Sequence, residues 1–208
     1  MRHGDLGPDP LRACSRWLED ADARSNVVFP NAVCLSTVGR DGRPEGRIVL
    51  VKSVDERGIA FFTNYESAKG RALAHMPCAA ITFYWHDLER QIRAKGEVTP
   101  LRTEESDAYF RTRSRGSQLG AWASDQSEAL ASRKALENRM REAKARFEGR
   151  DVQRPEHWGG YLLAPTEMEF WQARADRLHD RIAFWRSTAA ALGTTATDEQ
   201  WVVARLNP

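Results

Sequence analysis

The sequence predicts an α+β fold in which helices flank an antiparallel, barrel-like sheet. Three observations favour this class. Short strand-like segments follow one another with hairpin signals, helical segments are inserted in blocks rather than alternating with strands, and no GxGxxG motif follows a strand, which argues against a Rossmann arrangement. The 208 residues, 41% of them hydrophobic, suffice for one sizeable core, so we expect a single domain over residues 1–208.

The N-terminal half is predicted to hold a helix and then three closely spaced strands. The helix spans "DPLRACSRWLEDADAR", with Asp9 as its N-cap and Pro10 in its first turn. The strand-like segments "AVCLSTVG" and "GRIVLVKSV" flank the hairpin signal Asp41-Gly42, and "IAFFTN" is the third strand. A short helix over "SAKGRALAHM" follows, with Ser67 near its start.

The C-terminal half is predicted to return to strands after a helical block. "CAAITFYWH" and "RQIRAKGEVTPL" form a strand pair, and residues 103–147 are helical, with Ser127 as the N-cap of the long helix. The later strands are "GGYLLAP", "EMEFWQ", "RIAFW" and "QWVVARL". We expect residues 1–8 to be flexible and residues 187–199 to form an exposed loop.

Composition narrows the possible functions. Because 31 basic residues face 29 acidic ones, for a net charge of +2, a general nucleic-acid or membrane-surface binder is disfavoured. No signal peptide and no apolar run near about 18 residues is evident, so we expect a soluble, cytoplasmic protein. Cys14, Cys34 and Cys78 form no CxxC pair and are predicted to be buried, reduced thiols. We predict no metal site.

Cationic and hydroxyl side chains gather in a few places that could hold an anion. Arg47 and Lys52 bracket one strand, but five positions put them on opposite faces, so both can contact one ligand only if the strand bulges or the ligand is long. Thr63, Ser67 and Lys69 follow another strand and open a helical turn, where backbone N–H groups attract phosphate. Strand-end charges and a capped surface helix are the ordinary alternatives.

A second gathering lies in the helical block. "YFRTRSRGSQLGAW" offers the phenol of Tyr109, the guanidinium of Arg113 and the hydroxyl of Ser117, a set suited to phosphate. An RNA-contacting patch and a solvated helix are the alternatives. Gln126 and Ser127 could read the edge of a heteroaromatic ring or simply cap a helix.

The stretch "RLHDR" concentrates charge beside an apolar segment. Arg177, His179 and Arg181 alternate, so an extended chain would project all three to one side. Trp171, just upstream, supplies a flat apolar wall that a surface strand would not need. The alternative is a surface strand whose arginines pair with the neighbouring aspartates.

Seven stretches, in order, resemble the pyridoxine (pyridoxamine) 5′-phosphate oxidase family. They are "RIVLVK", "FFTNYESAKG", "LERQIRAKGEV", "YFRTRSRGSQLGAWASDQS", "WGGYLLAP", "EFWQARADRLHDR" and "ARLNP". The resemblance implies an FMN-binding split β-barrel that works as a homodimer, with the flavin at the subunit interface. Many family members have arginine at the position of Ala68 and some have aspartate at that of Phe29, which bears on substrate identity.

The resemblance also implies which residues bind the ligands. FMN contacts are expected from Arg47, Ile48, Val49, Leu50, Val51, Lys52, Phe62, Thr63, Ser67, Lys69, Gln91, Gln126, Ser127, Trp171 and Arg181. Substrate contacts are expected from Lys52, Tyr109, Arg113, Ser117, Arg177, Leu178 and His179. Of these, Arg177 and His179 are the expected catalytic residues beside the reacting carbon.

The implied reaction oxidises pyridoxine 5′-phosphate or pyridoxamine 5′-phosphate to pyridoxal 5′-phosphate. Hydride passes from the C4′ carbon to FMN, and O2 then reoxidises the flavin and yields H2O2. Two alternatives stay open. One is a related oxidase acting on a reduced heterocycle, as in phenazine biosynthesis, and the other is a non-catalytic module that binds flavin or pyridoxal phosphate. Neither nucleic acid nor membrane is an expected partner.

Overall fold

The structure, a computed structural model, describes residues 1–187 and 200–208. Its helices are α1 (His3–Leu6), α2 (Pro10–Arg24), α3 (Ala68–His75), α4 (Thr103–Thr112), α5 (Arg115–Ala123) and α6 (Arg133–Arg146). Its strands are β1 (Ala32–Val38), β2 (Pro44–Asp55), β3 (Gly58–Asn64), β4 (Cys78–Trp85), β5 (Arg90–Pro100), β6 (Trp158–Gln172), β7 (Asp180–Ser187) and β8 (Gln200–Arg205).

The strands form one antiparallel sheet that closes on itself. Their order is β3-β2-β1-β4-β5-β6-β7-β8, and β3 also pairs with β6, which closes β1 to β6 into a barrel. The long strand β6 makes the split. Its residues 158–163 pair with β3, its residues 167–172 pair with β7, and β5 runs along its other edge. The predicted α+β barrel with flanking helices is confirmed.

Alternating side chains give the barrel its core. Along β1 every second residue is buried, and β4 shows the same alternation, so Val33, Leu35, Ile81 and Phe83 point inward. Helix α2 packs on this core and begins as predicted, because the Asp9 carboxylate accepts hydrogen bonds from the backbone amides of Leu11 and Arg12.

A second apolar cluster joins the helices to the barrel. It is made of Phe110, Leu119, Ala123, Ala143, Phe147, Val152 and Trp158, which come from α4, α5, α6, the segment after α6 and the start of β6. Phe62 of β3 and Tyr109 of α4 pack against it. This cluster therefore holds α4 and α5 beside β3. The division of the chain into domains stays a prediction.

Two local features of β2 follow from its sequence. The β1–β2 hairpin turns at Gly42, whose φ of +76° lies in the left-handed region that glycine adopts without strain. Further along, Val51 pairs with Phe61 and Ser53 pairs with Ala60, so Lys52 is the extra residue of a β-bulge. The bulge meets one of the two conditions under which Arg47 and Lys52 could serve one site, the other being a long ligand.

Two local predictions are wrong. Helix α6 is capped by Ser132, whose Oγ accepts from the Ala135 amide, and not by Ser127, whose φ is +76°. The "RLHDR" stretch is not extended, because a short 3₁₀ turn covers Ala175–Arg177 and β7 begins only at Asp180. The alternating projection expected for Arg177, His179 and Arg181 is therefore not observed.

The three cysteines are free, but their burial differs from the prediction. Cys14 is buried, and burial raises the pKa of its thiol to about 12. Cys34 is half-buried, and Cys78 is exposed because it opens β4 on the outward side of the alternation.

Two predictions concerned residues 1–8 and residues 187–199. Residues 1–8, predicted to be flexible, contain α1 and place Leu6 in the core, while their flexibility stays a prediction. The predicted loop 187–199 lies outside the described residues except for Ser187, the last residue of β7. Within the described ranges, no helix is long and apolar enough to cross a bilayer.

Candidate active site

A cavity of about 660 Å³ lies between β2, β3 and the α4–α5 helices. Predicted site residues that line it are Ile48, Val49, Leu50, Lys52, Phe62, Thr63, Lys69, Tyr109, Arg113, Ser117 and Gln126. Sequence reasoning did not single out its other lining residues, which are Asn64, Ser114, Gly120, Ala121, Ser124 and Trp158. The structure thus brings expected cofactor contacts and expected substrate contacts into one cavity.

Lys69 is a nearly buried cation whose neighbours are neutral oxygens. Its Nζ donates to Thr63 Oγ1, Ser67 Oγ and Gln126 Oε1, each at 3.2 Å. Burial lowers the pKa of Lys69, and the nearby Arg47 lowers it further. Among residues 1–187 and 200–208, no carboxylate pairs with this ammonium group. An anionic ligand would supply the missing countercharge.

The turn between β3 and α3 is built around Ser67. The Ser67 Oγ donates to Asn64 O at 2.7 Å and accepts from the Gly70 amide at 3.3 Å, so it caps α3. A Cβ at Gly70 would lie 2.0 Å from the Tyr65 carbonyl oxygen, so only glycine permits this close approach. Ser67 is therefore held in place beside Lys69.

Ser127 reaches the same helix terminus from a distant part of the chain. Its Oγ accepts from the Ala68 amide at 3.1 Å, and its positive φ directs it there. The next residue, Glu128, forms an ion pair with Arg71 at 2.7 Å. The loop that carries Gln126 and Ser127 is thus docked onto the start of α3.

Arg113 carries the cavity's second unpaired positive charge. Its guanidinium lies over the Trp158 ring at 4.4 Å, and its Nη1 is buried without a hydrogen-bond partner in the described structure. Burial lowers the pKa of Arg113, an effect that the nearby Tyr109 partly opposes. A buried donor without an acceptor costs free energy, so a hydrogen-bond acceptor that enters the cavity and binds Arg113 Nη1 would remove this cost.

An aromatic wall stands beside Arg113. The Phe62 ring stacks on Tyr109 with centroids 3.9 Å apart and on Trp158 with centroids 5.6 Å apart. In the sequence, the two glycines after Trp158 are the feature that could have indicated this wall. The Phe62 ring packs so closely on the strand that a Cβ at Gly160 would lie 2.7 Å from Phe62 Cε1. Such a wall offers a flat ring an apolar stacking surface.

The two cations of β2 behave differently. Arg47 donates to Thr37 Oγ1 and Glu45 Oε2, both at 2.6 Å, and does not line the cavity. Lys52, exposed at the bulge, lines the cavity and has no ion-pair partner in the described part of the chain. The Val51 side chain lies in the core, which leaves only its backbone for a ligand. The expected contact of Arg47 with FMN stays a prediction.

The remaining predicted residues form a second group outside the cavity. Gln91 of β5 is in register with Trp171 of β6, which is in register with Arg181 of β7. The His179 ring lies 4.7 Å from the Trp171 ring, and Arg177 and Leu178 precede it in an exposed turn. A site containing both groups would draw them from two chains, as the resemblance implies for a homodimer.

Of the two arginines in this second group, Arg181 is already paired, whereas Arg177 has no ion-pair partner in the described ranges. Arg181 donates from Nε to Glu169 Oε1 at 2.7 Å and from Nη2 to Oε2 at 3.1 Å, which raises its pKa. The Met1 amino group, Arg174 and Arg205 together hold the pKa of Asp180 far below its usual range. The neighbouring aspartates therefore do not pair with the predicted arginines.

Comparison with known proteins gives the family. A family model described as "Pyridoxamine 5'-phosphate oxidase" matches residues 22–147, and one described as "Pyridoxine 5'-phosphate oxidase C-terminal dimerisation region" matches residues 158–208. The chain belongs to the pyridoxamine 5′-phosphate oxidase family. Membership in this oxidase family supports an oxidoreductase activity.

Individual relatives agree over the whole chain. The "Pyridoxine/pyridoxamine 5'-phosphate oxidase" of Burkholderia multivorans is 51% identical over 208 residues, which is all of this chain and 93% of the relative. The protein of the same name from Burkholderia vietnamiensis is 50% identical with the same coverage.

Two solved structures share the fold. PhzG from Burkholderia lata 383, in complex with tetrahydrophenazine-1-carboxylic acid, superposes with a TM-score of 0.88 at 35% identity, covering 99% of this chain and 95% of PhzG. A pyridoxamine 5′-phosphate oxidase-related, FMN-binding protein from Nostoc punctiforme has a TM-score of 0.73 at 18% identity, covering 96% of this chain and 98% of its own, which supports the fold alone.

The family's dimerisation region contains most of the second group. Trp171, Arg177, His179 and Arg181 all lie within residues 158–208, whereas Gln91 lies on the adjoining strand β5. The match to this region supports a homodimer.

Proposed function

We propose that the protein is an FMN-dependent oxidase that converts pyridoxine 5′-phosphate or pyridoxamine 5′-phosphate to pyridoxal 5′-phosphate. O2 is the electron acceptor and H2O2 is released. One observation carries the proposal: a single cavity holds two desolvated cationic groups, Lys69 and Arg113, that lack carboxylate partners among the described residues. A cofactor phosphate and a substrate phosphate would satisfy one each.

The residues around Lys69 fit the phosphate of FMN. The Lys69 ammonium lies beside the Thr63 and Ser67 hydroxyls at the start of α3, where the helix dipole favours an anion. A bound phosphate would take over the hydrogens that these hydroxyls now donate to Gln126 and Asn64. Gln126 uses its Oε1 to accept from Thr63 and Lys69, which leaves its amide N–H groups to donate. Bound FMN would supply the ring that takes up two electrons.

The residues around Arg113 fit the phosphate of the substrate. The unpartnered Nη1 can donate to a phosphate oxygen, and Lys52, Tyr109 and Ser117 line the same cavity. The aromatic wall of Phe62, Tyr109 and Trp158 excludes water from one side of this set. A substrate without an anionic group would leave Arg113 unsatisfied.

In the proposed homodimer, the second group completes the site from the partner subunit. Gln91, Trp171 and Arg181 would contact the cofactor ring, and Arg177, Leu178 and His179 would contact the substrate near C4′. Arg177 is suited to this role because it is exposed and has no ion-pair partner in the described ranges. The cytoplasmic location predicted from the sequence belongs to this proposal.

The test is a direct assay. Purified protein, loaded with FMN, is mixed in air with pyridoxine 5′-phosphate or pyridoxamine 5′-phosphate, and both H2O2 and pyridoxal 5′-phosphate are measured. We expect equal amounts of the two products. The Arg113→Ala variant should lose activity at low substrate concentration. If wild-type protein that retains FMN turns over neither substrate, the proposal is wrong.

A second candidate is oxidation of a reduced phenazine. The similarity to PhzG favours it, because that structure holds a tricyclic carboxylic acid and its identity to this chain is 35%. The carboxylate could pair with Arg113 and the rings could stack on the aromatic wall. Identities of 50–51% to the curated vitamin B6 oxidases favour the first candidate. Turnover of the reduced phenazine acid but of neither B6 phosphate would reverse this order.

The non-catalytic flavin or pyridoxal phosphate module makes a different prediction. Such a protein would bind FMN but produce no H2O2 above background with any of these substrates. The same assay therefore separates all three functions.

A further inference from the structure

A strained turn leads from β6 to β7 and carries His179. Asp176 and Arg177 have φ values of +56° and +61°, so two consecutive residues other than glycine adopt the left-handed region. The turn is held by hydrogen bonds from the Ala173 amide to Glu89 O at 3.0 Å and from the Leu178 amide to Ala175 O at 3.1 Å. Strain of this kind persists only where the surroundings fix the backbone.

One hydrogen bond in this turn determines the chemistry of the imidazole. The backbone N–H of Arg174 donates to Nδ1 of His179 at 3.2 Å. A backbone N–H can only donate, so Nδ1 must accept with its lone pair, and the neutral ring then carries its hydrogen on Nε2. Within the described ranges, Nε2 has no hydrogen-bond partner of its own.

Asp180 anchors this arrangement. Its Oδ2 accepts from Arg174 Nε at 2.7 Å, and its Oδ1 accepts from Arg205 Nη1 at 2.6 Å. Arg174 is thus fixed twice: its side chain pairs with Asp180, and its backbone amide donates to His179. The Trp171 ring, 4.7 Å away, packs against the imidazole.

We propose that Asp180, acting through Arg174, is a positioning residue that holds His179 as the Nε2–H tautomer. His179 then donates a hydrogen bond from Nε2 to the substrate and does not accept a proton from it. The proton that leaves the C4′ hydroxyl or amine therefore passes to water. The substrate in this statement rests on the proposed function, whereas the tautomer follows from the turn alone.

The first test reads the tautomer without substrate or turnover. Protein with 15N-labelled histidine is examined by NMR above neutral pH, and the His179 signals are assigned by their loss in His179→Gln. We expect the wild type to show hydrogen on Nε2 only. Asp180→Asn and Arg174→Gln should show both tautomers. Asp176→Asn is the matched control, because Asn tolerates positive φ and Asp176 makes no ion pair in the described structure.

The second test reads the consequence for catalysis. With pyridoxine 5′-phosphate, Asp180→Asn and Arg174→Gln should lower kcat by about ten-fold, with a smaller change in KM, because a misplaced donor acts mainly at the reacting carbon. Asp176→Asn should retain wild-type kcat.

Two results would overturn this inference. One is a wild-type spectrum with hydrogen on Nδ1, and the other is an unchanged tautomer in both Asp180→Asn and Arg174→Gln. Should one variant fail to fold, the other decides, since Arg174→Gln leaves Asp180 paired with Arg205. Absence of turnover in the wild type with the expected tautomer intact would defeat the proposed function and leave the tautomer assignment standing.

Discussion

The cavity beside α3 and the turn before β7 treat their positive charges in opposite ways. In the cavity, Lys69 and Arg113 are desolvated, and neither pairs with a carboxylate in the described structure. In the turn and on β7, Arg174 and Arg181 are held by the carboxylates of Asp180 and Glu169. An unpaired buried cation costs folding free energy, whereas a well-paired one fixes geometry. The comparison therefore separates charges without a carboxylate partner in the described structure from charges that a carboxylate already holds.

The largest effect is expected at Arg113. Arg113→Ala should raise KM for pyridoxine 5′-phosphate by about 100-fold, since a charge-assisted hydrogen bond contributes about 1.5–3 kcal/mol. FMN affinity should stay unchanged, as judged by quenching of flavin fluorescence. The control is Arg111→Ala, two residues earlier, which is exposed and does not line the cavity. Loss of FMN with unchanged KM would show that Arg113 belongs to the cofactor.

Removing a paired charge on β6 or β7 should change the stability of the protein. Glu169→Gln removes the carboxylate that holds Arg181 and should lower the free energy of unfolding by about 2 kcal/mol, less than a fully buried pair would. Glu167→Gln on the same strand removes the pair of a half-buried carboxylate with the exposed Lys95 and should cost about 0.5 kcal/mol. Urea unfolding measures both. Equal losses would mean that burial of Glu169 is irrelevant to its pairing.

Removing an unpaired charge in the cavity should have the opposite effect on stability. Lys69→Met should leave the FMN-free protein equally stable or about 1 kcal/mol more stable, because it removes a desolvated charge, while FMN affinity falls about ten-fold or more. The exposed Lys134→Met is the control for both measurements. A clear loss of stability in FMN-free Lys69→Met would place Lys69 among the structural charges.

The pH dependence of that difference has a definite sign. Folding lowers the pKa of Lys69 below its ordinary value of 10.5. Between the lowered value and 10.5 the unfolded chain binds more protons, so wild-type stability rises with pH there relative to Lys69→Met. The advantage of the variant should therefore shrink as the pH approaches 10.5, which thermal unfolding in alkaline buffers can follow. A constant difference would argue against a shifted pKa.

Local signals in the sequence were sufficient for most of the fold. The Asp9 cap, the Asp41-Gly42 hairpin and the alternation of β1 and β4 act within a few residues, so their outcome could be predicted. Ser127 was assigned wrongly because its hydroxyl accepts from the Ala68 amide, which is distant in sequence, and its φ of +76° does not match the extended backbone of an N-cap. The turn at Asp176 was missed for the same reason, since it begins at a hydrogen bond from the Ala173 amide to Glu89 O, which lies in the turn before β5.

Part of the cavity lining was predictable from the sequence, but the pairing of the charges was not. Residue types and the family resemblance identified Lys69, Arg113 and Arg181, yet no local pattern indicates that Glu169 neutralises Arg181 while Lys69 and Arg113 stay unpaired. Trp158 was overlooked because its role depends on the packing of Phe62 against Gly160. These properties arise from tertiary contacts between strands and helices far apart in the chain.

The central claim is that one cavity holds both a cofactor phosphate and a substrate phosphate. Its most direct test is an anaerobic half-reaction. FMN-loaded protein is mixed with pyridoxine 5′-phosphate in the absence of O2, and the visible absorbance of the oxidised cofactor is followed. We predict that it bleaches, that inorganic phosphate slows the bleaching in competition with the substrate, and that admitted air restores the colour. Absorbance that stays unchanged with both B6 phosphates would contradict the account.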